Sequence, residues 1–218
     1  MKFGAGKFWR AQYPGTRASR ELAIARVMLF FVLPITLLEL GIIPIEGRMF
    51  VLLIFSLLIY GSITNDKWTA SDLGISTGSI KSMLAPYTIA TIIGFVALVL
   101  FANLLGMPGT SHWWVQPHFL FLFVFVSSFQ EFAFRGFLMP VLGQIFPDGL
   151  TIILVNALLF AFMHIIYPFP HIGLPFAFVI GIFFATLYRK YPNLILISIS
   201  HSILNFVAVW YGFFKIVH

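Results

Sequence analysis

The chain contains no cysteine, which excludes disulfides and thiolate-bound metals and leaves the redox compartment open. Charge is scarce: 9% of the 218 residues are Asp, Glu, Lys or Arg, 60% are hydrophobic, and the mean hydropathy is +0.99. A soluble domain needs far more polar surface. The composition therefore points to several membrane-spanning helices and leaves no length for a separate soluble domain. Two signatures of other membrane enzymes are missing, the His-Glu-x-x-His zinc motif and a pair of intramembrane aspartates. No internal repeat is visible. That argues against a transporter, which would show broken spans in two related halves. The last apolar run has no mid-helix lysine, so a retinal Schiff base has no attachment point.

The positive charges are unevenly placed. Lys2, Lys7, Arg10, Arg17, Arg20 and Arg26 precede or open the first apolar run, interleaved with Phe3, Phe8, Trp9 and Tyr13. Residues 1–21 read as a cytoplasmic, interfacial anchor on membrane lipid rather than as a nucleic-acid surface. The run that follows is too long for a signal peptide and lacks a small-residue cleavage site, so it is expected to be a retained span.

Apolar runs predict seven spans, over residues 22–43, 49–63, 83–105, 119–141, 150–166, 173–188 and 194–214. The second and sixth are short against the roughly 20 residues that cross a bilayer, and are expected to extend into their flanks. Pro34 is expected to kink the first. Residues 22–118 would form three peripheral helices and 119–218 the core that carries the chemistry. Trp113 and Trp114 suit an interfacial belt. With the N-terminus inside, Lys67, Lys81, Arg189 and Lys190 also fall inside, and the outer loops keep only Arg48, with Lys215 in the tail.

Few strongly polar side chains remain at membrane depth. Gln130, Glu131 and Arg135 lie on the fourth run, Asn156 and His164 on the fifth, and His201 and Asn205 on the seventh. Glu131 and Arg135 are one helical turn apart, as are Phe160 and His164, and His201 and Asn205. Such groups are costly in hydrocarbon and usually persist for function. Peptide hydrolysis needs a base to activate water and donors for the oxyanion. Glu131 could be base or ligand. His164 and His201 could hold a metal, or position water and donate to the oxyanion, while Asn205 orients or donates and Arg135 keeps Glu131 ionised. Glu131, His164 and His201 are the candidate ligands of a divalent metal such as zinc.

Each group also has a plainer reading. Glu131 and Arg135 alone would make a structural ion pair, and Asn156 an interhelical hydrogen bond. Gly181 and Ala185 form a small-xxx-small pair suited to helix packing. His112, His118, His171 and His218 fall in loops or ends and read as incidental, with His171 close enough in sequence to His164 to watch. Glu39, near the outer end of its span, is expected to snorkel.

The ordered set Gln130-Glu131-x-x-x-Arg135-Gly136, Phe160-x-x-x-His164 and His201-x-x-x-Asn205 resembles the CPBP family of intramembrane proteases. That family includes the Rce1-type CAAX prenyl endopeptidases and bacterial proteins linked to bacteriocin immunity. The resemblance covers residues 119–214. It implies an all-α, Rce1-like bundle of about seven transmembrane helices around a polar intramembrane cavity, in a bacterial or archaeal plasma membrane. It further implies hydrolysis of a membrane-associated or lipidated peptide by water activated at Glu131, His164, His201 and Asn205.

The family pattern begins Glu-Glu-x-x-x-Arg, and Gln130 stands at its first glutamate. In the scheme the resemblance implies, that glutamate and the histidine at His164 activate water, while His201 and Asn205 form the oxyanion site. Glutamine takes up no proton. Either Glu131 serves as base, or the protein is a relative that binds peptide without cleaving it, as a scaffold or immunity protein, or the glutamine is a trapping substitution. Successive helix positions differ by about 100°, so Glu131 does not point where Gln130 does.

Overall fold

A computed structural model describes residues 17–107, 109, 117–167 and 170–213, the side chains of 117–122 excepted. The basic segment before residue 17, His112, Trp113, Trp114, the side chain of His118, and Lys215 and His218 lie outside the described residues.

Seven helical rods account for the regular structure of the described residues. They are α1 (Arg17–Glu39), α2 (Arg48–Asn65), α3 (Ile80–Leu104), α4 (117–145), α5 (Gly149–Phe162), α6 (Pro170–Lys190) and α7 (Leu194–Trp210). With a 3₁₀ turn at Ile45–Gly47, the second reaches 21 residues, and α6 also has 21, so both short runs gain the flanks they needed. Together with Arg17–Glu39 and Ile80–Leu104 they are long and apolar enough to cross a bilayer. The chain is an integral membrane protein. The fifth expected span is corrected: α5 ends at Phe162, with Met163 as its C-cap, not at residue 166. The shorter apolar helices are therefore α5 and α7.

Two prolines leave the same mark on the helices that hold them. Proline has no N–H, so the carbonyl four residues earlier loses its donor and the local ladder can shift register. Just before Pro34, Met28–Val32 relaxes into a π-helix in which Leu33 N–H reaches the Met28 carbonyl. Just before Pro140, Phe132–Leu138 does the same, with Met139 N–H on the Phe134 carbonyl. The expected kink at Pro34 thus takes the form of a register change, and the second change falls inside the polar motif of α4.

In the bundle, α7 lies against both α3 and α4, α5 and α6 form a closely packed hairpin, and the opening turns of α1 cover residues 139–145 of α4. The α5–α6 contact depends on Gly181, because a Cβ there would meet the Ala157 Cα at 2.9 Å. This is the close backbone approach that small residues give membrane helices, as the Gly181–Ala185 spacing led us to expect.

At the end where α2 stops and α7 starts, polar groups lock loops together. Arg26 makes a double contact with Asp66, at 2.7 and 2.9 Å, tying α1 to the end of α2. Tyr188 Oη donates to the Leu73 carbonyl at 2.8 Å, and Asn193 Nδ2 to the Ser76 carbonyl at 2.8 Å. Asp148 and Asn193 cap α5 and α7, their side-chain oxygens accepting from Thr151 N and Leu196 N.

Candidate active site

Glu131 closes the regular part of α4 and is fully buried. Its Oε1 accepts from His201 Nδ1 at 2.6 Å and from Arg135 Nη1 at 3.2 Å. Arg135, equally buried, also donates to the Gly181 carbonyl at 3.4 Å. Its guanidinium carbon lies 4.7 Å from the Phe160 ring centroid and 5.5 Å from that of Phe184. Aromatic faces thus stand where water would otherwise solvate the cation. Asn156, the expected interhelical hydrogen bonder, donates Nδ2 to the Phe134 carbonyl at 2.8 Å and ties α5 to the π segment that carries Arg135.

The imidazole of His201 is held between Phe160 and Phe184, with centroids 5.8 and 5.0 Å away. Because Nδ1–H donates to a carboxylate, the lone pair of the neutral ring sits on Nε2. His164 lies just past the end of α5, where its Nδ1 meets the Phe160 carbonyl at 2.8 Å. A carbonyl can only accept, so this ring too keeps its lone pair on Nε2. One turn along α7 from His201, Asn205 donates Nδ2 to Ser127 Oγ at 3.0 Å, leaving its other amide hydrogen unspoken for by that contact.

His164, His201 and Asn205 line one cavity, walled by Leu98, Phe160 and Phe184. Its free volume is about 20 Å³, room for a single water. The early end of α5 is what allows this meeting: the chain turns at residues 163–166 and carries the imidazole inward instead of prolonging the helix.

Gln130 faces elsewhere. It lines a second cavity of about 110 Å³ among α1, α2, α4 and residues 163–167, and its Nε2 reaches Met163 Sδ at 3.9 Å. Neighbours in sequence thus part company: Gln130 and Met163 face one cavity, while His164 and the partner of Glu131, His201, face the other. Phe134 and Phe160, packed edge to face at 5.3 Å, belong to the wall between them.

The expected metal ligands do not form a cradle. Among the described residues no group of three His, Cys, Asp or Glu side chains is placed to hold a metal ion. The Nδ1 atoms of both histidines are engaged by oxygen acceptors. His171 is exposed in the first turn of α6, away from both cavities.

The sequence reading passed over Ser127 and Phe184. Ser127 stands one turn before Glu131, the i−4 spacing that could have marked it, whereas Phe184 is one phenylalanine among 27 and carries no signal. It also passed over Gly74-Ile75-Ser76-Thr77-Gly78, which has the Gly-x-Ser-x-Gly spacing of a serine nucleophile turn. That turn would join a strand to a helix. Here the stretch belongs to the connection between two helices, α2 and α3.

The family model for type II CAAX prenyl endopeptidase Rce1-like matches residues 111–207. The match spans the α4, α5 and α7 residues just described and bears out the resemblance read from the three motifs. Neither the curated proteins nor the solved structures include a match.

Proposed function

We propose, from the premise that residues 111–207 are Rce1-like and so imply CAAX-type intramembrane protease activity in general, that Glu131, His201, His164 and Asn205 hydrolyse a lipidated or membrane-associated peptide. The carrying observation is the 2.6 Å contact between His201 Nδ1 and a buried carboxylate, beside a cavity of single-water size. A water there gives its proton to His201 Nε2 as its oxygen attacks the scissile carbonyl. Glu131 stabilises the imidazolium, as the carboxylate of a catalytic triad does. His164 Nε2 accepts the water's other hydrogen and aims it. The oxyanion takes the remaining amide hydrogen of Asn205, which Ser127 orients. One such donor contributes about 3 kcal/mol to transition-state stability. His201 then protonates the departing amine, and a carboxylate and an amine leave.

In this scheme His201 is the base and Glu131 its orienting partner. The motif comparison instead put the base at the position of Gln130, which faces the other cavity. Arg135 donates to the same carboxylate oxygen of Glu131 as His201 and holds it in place. The positive-inside rule, applied to Lys67, Lys81, Arg189 and Lys190, supports a cytoplasmic position for their end of the bundle.

The test is cleavage of a farnesylated CAAX-type peptide by purified protein in proteoliposomes. His201→Ala and His164→Ala should each abolish turnover, and undiminished cleavage in both would end the reading. A second reading rests on Gln130: a motif whose first carboxylate is an amide suits a protein that binds the peptide without cutting it. Binding of the same peptide with no product from the unaltered chain would select it.

A further inference from the structure

The second cavity has a composition of its own. Its walls are largely apolar, from Phe31 and Leu38 of α1 to Leu52 and Phe55 of α2, and four polar side chains interrupt them, Arg48, Ser56, Gln130 and Tyr167. Arg48 is the first residue of α2, at one end of that helix. Its guanidinium makes one hydrogen bond, Nη1 to the Ile45 carbonyl at 3.1 Å, and no ion pair among the described residues. Among the described residues at that end it is the one Lys or Arg. Deeper in, Gln130 is 7% exposed and aimed into the space, with only the 3.9 Å thioether contact for its amide. A buried amide so poorly matched is costly unless something else uses it.

A cation at the surface, an apolar slot of about 110 Å³ behind it and an amide within the slot match the parts of an amphiphile in order. An apolar cavity of this size class admits a small hydrocarbon group. We propose that this cavity is a binding site for an anionic phospholipid: the phosphate pairs with Arg48, an ester carbonyl accepts from Gln130 Nε2, and part of one acyl chain fills the slot between α1 and α2. Arginine offers a phosphate two parallel donors. The site is distinct from the His164–His201 cavity and does not depend on the protein's being a protease.

The full-length protein is reconstituted in bilayers of equal parts phosphatidylglycerol and phosphatidylcholine, extracted in mild detergent, and its retained lipid counted by native mass spectrometry. The unaltered chain should keep phosphatidylglycerol about fivefold over phosphatidylcholine, the discrimination one near-surface cation gives. Arg48→Ala should erase that preference, Arg48→Lys should keep most of it, and Lys81→Ala, at the other end, should change nothing. Leu52→Trp, which fills the slot, should lose the lipid altogether while melting as the parent does. Equal retention of the two lipids by the unaltered chain, or unchanged phosphatidylglycerol on Arg48→Ala or Leu52→Trp, would overturn the proposal. So would displacement of the lipid by a farnesylated peptide with a free carboxylate from the parent but not from Arg48→Ala, which would give the cavity to a peptide instead.

Discussion

Replacing Arg135 by leucine tests the electrostatics of the centre without touching either histidine. The guanidinium and the Glu131 carboxylate are both fully buried, 3.2 Å apart, and His201 is the other group that contacts the same oxygen. The second carboxylate oxygen, Oε2, has no hydrogen-bond partner among the described residues, so Arg135 carries most of the charge compensation. Removing one partner of such a pair strands the other, at a cost of about 3–5 kcal/mol. Leucine also gives up the contact with the Phe160 ring at 4.7 Å, a smaller loss of roughly 1 kcal/mol. Replacing both partners removes the stranded charge. The double variant Glu131→Gln/Arg135→Leu should therefore be more stable than Arg135→Leu alone by about 2 kcal/mol or more. Denaturant titration in mixed micelles, followed by tryptophan fluorescence, measures all three proteins. A single variant within about 1 kcal/mol of the parent, or a double variant less stable than the single, would refute the argument that this pair is held by mutual compensation.

Three further outcomes follow from particular contacts. Gly181→Ala puts a methyl against the Ala157 Cα, where backbone has to move, and should lower stability by about 1–3 kcal/mol in the same titration. Asn156→Leu leaves the Phe134 carbonyl without its side-chain donor and should cost about 1–3 kcal/mol, with Asn156→Gln recovering little because its amide sits one methylene too far. Asp148 is held below the ordinary carboxylate range by the Thr151 backbone N–H. A lowered folded-state value means that its contribution is present above the unfolded value of about 3.9 and disappears as the pH falls through the lower one. Melting temperature should fall across that acid interval in the parent, and less so in Asp148→Asn, which keeps a cap but does not titrate.

The sequence displayed the parts of the candidate site more clearly than their arrangement. Glu131, Arg135, His164, His201 and Asn205 stand out because each is expensive in hydrocarbon and the pairs repeat at one helical turn, and those groups do meet. Helix number was legible for the same reason: apolar runs separated by Pro, Gly and charge leave little choice. Three features were hidden. The π segments before Pro34 and Pro140 arise from a missing donor whose consequence lies upstream of the proline, and hydropathy does not register it. The early end of α5 was masked by Ile165 and Ile166, apolar residues that prolong the run but sit in a turn. The division of Gln130 from the histidine cavity follows from the 100° step between neighbours, yet which neighbour faces α7 is settled by packing, through Gly181, Phe160 and Phe184.

The most direct test of the central claim is the single-turnover cleavage rate of Glu131→Gln with the farnesylated peptide. If Glu131 orients His201 and stabilises its imidazolium, the rate should fall by about 10⁴, the loss seen when a triad carboxylate becomes an amide, with Gln130→Ala remaining within a few-fold of the parent. A Glu131→Gln protein that cleaves within tenfold of the parent would contradict the account.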